Sequence, residues 1–183
     1  MKKELIKRHY EISKFTVKLL ELINIEPNLR MDMDEIIKRL NGKVTYKSNA
    51  INNNYEIYKI DDKEYEFEIV IEDRYLRAEF RECISLAISE LIFYHGYMAN
   101  PENWSKKKVG KNLVKPWKYD VETVRDISFM SHSLLLDWNL FREEMKDSYK
   151  GDGYYDLDEV AKKFDVPERM IINKGKLTQM LAW

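Results

Sequence analysis

Zinc-dependent chemistry requires histidines at particular spacings, and this sequence has few of them. Two histidines one helical turn apart, with a glutamate between them, hold zinc and activate its bound water. The chain has only three histidines, at positions 9, 95 and 132, and no two share that spacing. Glu90 and His95 are five residues apart, which on a continuous helix separates them by roughly 140°. We therefore expect no bound metal and no other cofactor. The alternative is a metal site formed by His95, His132 and one carboxylate, from Glu90, Asp126 or Glu122.

A lysine-rich stretch is the first candidate for a contact surface. It lies in a polar connection over residues 99–119, here called the lysine loop, and no acidic residue occurs from position 105 to 118. A positive loop flanked by aromatic residues suits an acidic protein patch or a nucleic-acid backbone. The alternative is a solvated loop whose tryptophans anchor it to the core. The predicted contact residues are Trp104, Lys106, Lys107, Lys108, Lys111, Lys115, Trp117 and Lys118.

The end of the chain offers a different possibility, direct DNA binding. Residues 160–161, 165–166 and 171–172 reproduce the spacing of a helix-turn-helix, whose second helix reads bases with side chains near its start. Glu168 would place a negative charge at that start. The side chains that would favour DNA are Arg169, Asn173, Lys174 and Lys176.

Composition limits the protein class. With 183 residues, 44% of them hydrophobic, the chain can bury one substantial core, and its net charge of −1 argues against a general nucleic-acid-coating face. The single cysteine, Cys83, excludes an internal disulfide and a zinc ribbon, and its apolar helical setting favours a buried structural thiol. No apolar run reaches the ~20 residues that cross a bilayer, and the N-terminal residues contain no apolar signal-peptide stretch. We expect a cytoplasmic protein without membrane contact.

Hydrophobic periodicity predicts an α+β fold in a single domain over residues 1–183. Helical spacing predicts two N-terminal helices within residues 1–42, with Asp32 or Asp34 as a cap and Asn41-Gly42 as the stop. Alternation over residues 43–47, 55–60 and 65–71 predicts a small antiparallel three-stranded sheet within residues 43–75, with a hairpin at Asp61-Asp62-Lys63.

Helical spacing returns in two long stretches, residues 76–98 and 121–149, on either side of the lysine loop. The first is predicted to be the core helix on which the sheet packs. Residues 154–183 form a helical tail with short helices at 156–164 and 168–181, after a glycine stop at residues 151–153.

This order of elements, together with several strings, resembles the ImmA/IrrE family of zinc metallopeptidases over most of the chain. The most specific part is the tail, with LDEVAKKFDVP at 157–167, NKGK at 173–176 and Trp183. Residues 134–137, LLLD, followed by Phe141, are similar to the family's LLMP string, with Asp137 in place of proline. Gly96-Tyr97 and Trp104 are similar to the segment that follows the family's zinc helix.

The resemblance implies a zincin-like frame whose core helix would carry an HExxH motif. Alignment on Gly96-Tyr97 places residues 86–90 over that motif, and alignment on its glutamate places residues 89–93 there; neither supplies a histidine. The family's third ligand falls at Val124 or, with a small shift, at Asp126. His95 and His132 would lie on or near the rim of a vestigial cleft. The cleft residues implied are Leu86, Ala87, Ser89, Glu90, Phe93 and Asp126.

The family commonly recognises repressors of phages and integrative elements. A member without zinc ligands would be a non-catalytic phage or mobile-element protein, in a bacterial host cell, that binds and regulates or inhibits another macromolecule. The expected partner is a protein, either a repressor or a host defence nuclease ribonucleoprotein, and the lysine loop is the expected contact. The enzyme alternative is a zinc peptidase with a relocated metal site that cleaves a repressor. A DNA-binding regulator is the second alternative.

Overall fold

Two helices open the chain. The structure, a computed structural model, describes residues 2–48, 54–73, 77–115 and 118–182. Helix α1 spans Lys2–Leu22 and helix α2 spans Met33–Arg39. Asp32 caps α2 by accepting hydrogen bonds from the backbone N–H groups of Asp34 and Glu35, as predicted. Asn41 follows α2 in the left-handed region, with φ of 57°, so the predicted Asn-Gly stop is confirmed.

The three-stranded sheet is mixed, and the prediction of an antiparallel sheet is wrong. Strands β1 (Gly42–Lys47), β2 (Tyr55–Lys59) and β3 (Phe67–Glu72) lie in the order β1-β3-β2. β3 pairs in antiparallel fashion with β2, which confirms the predicted hairpin, but β1 pairs with β3 in parallel. Alternation shows which face of a strand is buried, whereas the direction of pairing depends on the connection. Part of that connection, residues 49–53, is outside the described residues.

The predicted core helix is present and ends earlier than its apolar pattern. Helix α3 spans Arg77–Phe93 and packs against β2, β3 and the later helix α5 (Val121–Leu135). The predicted start at Leu76 is outside the described residues. Gly96, with φ of 78°, turns the chain after α3, where an added Cβ would lie 3.0 Å from the Asn100 carbonyl oxygen. Cys83 is buried in α3, as expected.

The stretch predicted as one helix over residues 121–149 forms two. Helix α5 ends at Leu135, and helix α6 spans Trp138–Asp147. Asp137 caps α6 by accepting hydrogen bonds from the Asn139 and Leu140 backbone N–H groups at 2.9 and 3.1 Å. The apolar period continues across this break, which is why periodicity alone did not reveal it.

The lysine loop and the tail contain additional structure. Helix α4, Pro101–Ser105, lies within the stretch predicted as a polar connection. A small hairpin, β4 (Tyr149–Gly151) and β5 (Tyr154–Tyr155), precedes the tail helices α7 (Leu157–Phe164) and α8 (Glu168–Leu177). The two tail helices match the predicted pair, although α8 ends four residues sooner.

A single hydrophobic cluster draws on α1, α2, the sheet, α3, α5, α6 and both tail helices. Arg81 on α3 joins the end of α7 to the segment that precedes α2. Its guanidinium donates to the carbonyl oxygens of Phe164, Asp165 and Met31 at 2.5, 2.7 and 2.9 Å. Among the helices that the structure describes, none combines the length and apolar character that a membrane crossing requires.

Replacing Asp137 with alanine should destabilise the protein by ~1 kcal/mol, because two N–H groups at the start of α6 lose their acceptor. Asp137→Asn is the matched control, since it keeps a capping oxygen and removes the charge. Urea unfolding followed by circular dichroism measures both variants. Equal destabilisation by alanine and asparagine would show that the charge, and not the cap, is what matters.

Candidate functional site

The Glu90 carboxylate is the centre of a buried polar network. Glu90 is 1% exposed, and both of its oxygens are hydrogen-bonded. Oε2 accepts from the Tyr55 hydroxyl at 2.7 Å, and Oε1 accepts from the Tyr119 hydroxyl. Nε2 of His95 lies 3.1 Å from Oε1. A strand, the end of the lysine loop and the turn after α3 therefore meet at one side chain of the core helix.

His95 reaches Glu90 because α3 stops between them. The backbone N–H groups of Tyr94 and His95 both bond to the Glu90 carbonyl oxygen, and Gly96 then reverses the chain. The expected separation of roughly 140° assumed a continuous helix over these residues. It is wrong because helical geometry ends at Phe93. His95 is 2% exposed and is a core residue here, not one on a rim.

The two tyrosines are held as neutral donors. Burial raises the pKa of Tyr55 and of Tyr119 above the ordinary value, and the adjacent Glu90 carboxylate raises both further. Phenolate forms would be desolvated beside a carboxylate oxygen, so the hydroxyl protons stay on the tyrosines. The arrangement fixes the carboxylate in place. Its oxygens accept from protein groups on both sides.

The other residues of the predicted vestigial cleft are packed against the core or paired with other residues. Ala87 and Ser89 are fully buried, and the Ser89 hydroxyl donates to the Ser85 carbonyl oxygen. Leu86 and Phe93 are half-buried. Asp126 pairs with Arg8 of α1, with Arg8 Nε 3.1 Å from Oδ1.

His132 belongs to a second buried cluster, with His9 of α1 and Lys174 of α8. Lys174 is 0% exposed, and its Nζ lies 3.4 Å from His9 Nε2 and 3.5 Å from Ser133 Oγ. The amine also lies 5.5 Å from the Trp138 ring centroid. No carboxylate oxygen lies within 4 Å of the amine in the described part of the chain. His132 and His95 therefore lie in different clusters. Among the described residues, no three His, Cys, Asp or Glu side chains are close enough together to bind a metal ion.

Burial disfavours the charged form of every group in this second cluster. It lowers the pKa of Lys174 from 10.5 to about 7, an effect that Asp137 partly opposes. Burial, reinforced by the charge of Lys174, lowers the pKa of His9 to about 2 and that of His132 to about 3. Burial also raises the pKa of Cys83 to about 12, so that thiol is protonated near neutral pH.

The lysine loop is attached to the molecule at several points. Trp104 is 9% exposed and packs against the Tyr97 ring, with centroids 5.1 Å apart, so it anchors the loop. The Gly110 N–H donates to the Lys59 carbonyl oxygen at 2.9 Å and the Leu113 N–H to that of Ile57 at 2.8 Å. These bonds place the loop along the outer edge of β2. The predicted contact residue Trp117 is outside the described residues.

Most of the predicted lysines face solvent. Lys106, Lys108, Lys111 and Lys118 are exposed, and Lys107 and Lys115 are half-buried. Lys106 pairs with Glu102 at 2.6 Å, but the described residues place no carboxylate within 4 Å of the other five. Lys59 of β2 lies under the loop and donates to the Trp104 carbonyl oxygen at 3.2 Å. Sequence analysis missed Lys59, because only the backbone pairing of loop and strand brings it there.

The tail does not present the predicted DNA-reading set. Lys174 is fully buried, so its expected role in reading DNA is wrong. Arg169 is bound by Glu82 of α3. Asn173 is exposed and Lys176 is half-buried. α8 instead turns its Lys174 side toward α1 and α5.

Comparison with protein-family models, with curated proteins and with solved structures found no match to this chain.

Stability should rise with pH in two windows because of the Lys174 cluster. The unfolded chain binds more protons than the folded one between about pH 3 and 6.5 at His9 and His132, and between about pH 7 and 10.5 at Lys174. Lys174→Met should abolish the upper window and stabilise the protein at pH 6 by a few kcal/mol, since each pKa unit corresponds to ~1.4 kcal/mol. Chemical unfolding at several pH values measures this. Lys146→Met, at an exposed site, is the control, and an unchanged upper window in Lys174→Met would contradict the assignment.

Proposed function

We propose that this chain is a non-catalytic, ImmA/IrrE-like protein that acts by binding another macromolecule through the lysine loop. The observation that carries the proposal is a set of solvent-facing lysines, on an anchored loop, that lack acidic partners among the described residues. The partner proposed is a protein with an acidic face. A repressor and a host defence nuclease ribonucleoprotein both fit that description.

The loop is suited to binding because it is already held in place. Trp104 anchors one end, Tyr119 bonds to Glu90 at the other, and two backbone bonds tie the middle to β2. A surface that is already ordered loses less conformational entropy when a partner binds. Unpaired surface charge also raises the rate of association with an oppositely charged partner.

The Glu90 network supports the non-catalytic part of the proposal. In an HExxH site the glutamate must reach a metal-bound water. Here both oxygens of Glu90 accept from Tyr55, Tyr119 and His95, and the carboxylate is 1% exposed. A carboxylate held in this way contributes to packing and positioning.

Reversing the charge of three exposed lysines should weaken binding of the partner without unfolding the protein. The variant is Lys108→Glu, Lys111→Glu and Lys118→Glu, and the matched control reverses three exposed lysines elsewhere: Lys18→Glu, Lys38→Glu and Lys63→Glu. Immobilised proteins first identify a bound macromolecule from a bacterial lysate, and its affinity is then measured in purified form. Because each exposed pair contributes up to ~1 kcal/mol, the loop variant should lose about tenfold or more. If the loop variant and the wild type bind the partner with equal affinity, the loop is not the contact surface.

The enzyme alternative predicts bound zinc and a dependence on Glu90. We expect purified protein, dialysed against zinc and then buffer, to retain no stoichiometric metal by mass spectrometry. We also expect it to leave candidate repressors intact. Stoichiometric zinc together with repressor cleavage that Glu90→Gln abolishes would overturn the non-catalytic proposal.

A further inference from the structure

We propose that a hollow between α1, α5 and α8 binds a small amphipathic carboxylate. This inference is independent of the lysine loop and of its partner. The hollow has a volume of about 220 Å³. Cavities for drug-sized ligands measure ~300–1,000 Å³, so the size favours a ligand with a short chain or a single ring.

Apolar side chains from all three helices form the floor. Leu5 comes from α1, Phe129 from α5 and Leu177 from α8. Phe129 and Leu177 are 7% and 6% exposed, so their positions are set by the core beneath them. Such a floor takes an aliphatic chain or an aromatic ring, because the contact removes apolar surface from water.

The polar part of the lining favours a negative charge. Arg125 and Lys176 line the hollow together with His132, and none of the lining residues is a carboxylate. The acidic neighbour Glu122 lies 3.8 Å from Arg125, but its side chain is 87% exposed, which makes this a weak and exchangeable pair. An arginine can form two parallel hydrogen bonds to a carboxylate.

The buried cluster behind the hollow adds to the preference for an anion. His132 forms part of the wall of the hollow. The charge of Lys174, which lies in the interior, lowers the pKa of His132. Nδ1 of His132 has no hydrogen-bond partner among the described residues. The Lys174 amine lies near His9 from α1, Ser133 from α5 and the Trp138 ring from α6. Asp137 is an opposing charge that partly offsets the effect of burial on this amine. A ligand carboxylate would favour the protonated form of the Lys174 amine, the group of this cluster whose pKa, about 7, lies near neutral pH.

Hexanoate, 1-hexanol and hexylamine test the charge preference, because the three share one chain and differ at the head. Titration of ¹⁵N-labelled full-length protein should show saturable shifts for hexanoate in residues of α1, α5 and α8, with a Kd of about 1 mM. Binding of hexanol and hexylamine should be at least tenfold weaker. Equal binding of hexanol, or no saturation by about 20 mM hexanoate, would overturn the proposal.

Two double variants locate the head group. Arg125→Gln with Lys176→Gln should weaken hexanoate to the level of hexanol, about tenfold or more, while leaving hexanol unchanged. Arg142→Gln with Lys146→Gln removes the same charges from exposed sites on α6 and should bind hexanoate as wild type does. Unchanged hexanoate affinity in the first pair would show that the hollow is not the site.

Discussion

The Glu90 carboxylate lies in the protein core, and a buried charge is tolerated only when its oxygens receive hydrogen bonds. Its donors come from three segments: Tyr55 on β2, His95 after α3, and Tyr119 at the end of the lysine loop. Each donor ties its segment to the core helix. The position of the sheet, the turn after α3 and the path of the loop are therefore coupled, since displacing any one removes a hydrogen bond from the buried carboxylate.

Some of the helix ends were readable from local chemistry. The Asp32 cap and the Asn41 stop each depend on a residue type that suits one backbone conformation. The Gly96 turn, by contrast, lies inside the stretch predicted as helical over residues 76–98. Pairing in the sheet was not readable in the same way, because the alternation in β1 is compatible with either direction. The contacts of Glu90 with Tyr55 and Tyr119 join residues 35 and 29 positions apart in the chain, and no local pattern encodes such separations.

Lys174 shows a different kind of failure, in which the signal was present. Met170, Lys174 and Leu177 are spaced as one face of a helix, and both apolar members are buried. The position of Lys174 on that face indicates burial, whereas a lysine side chain usually lies in solvent. In α8 the position on the face decides, and Lys174 is buried. His9 follows the same rule, since it falls between Leu5 and Ile12 at helical spacing and is 0% exposed. Polar residues on an apolar face of a helix are the ones to examine first for perturbed pKa values.

The backbone bonds from Gly110 to Lys59 and from Leu113 to Ile57 close the outer edge of β2. An open strand edge is a template on which another chain can add a strand, so the loop also protects the sheet from aggregation. This protection of the β2 edge places a constraint of its own on the loop. Protection of the edge does not depend on the lysine side chains, because the edge is covered by main chain. An inserted or deleted residue between positions 110 and 113 would shift that register, so protection of the edge constrains the length of the loop independently of its charge.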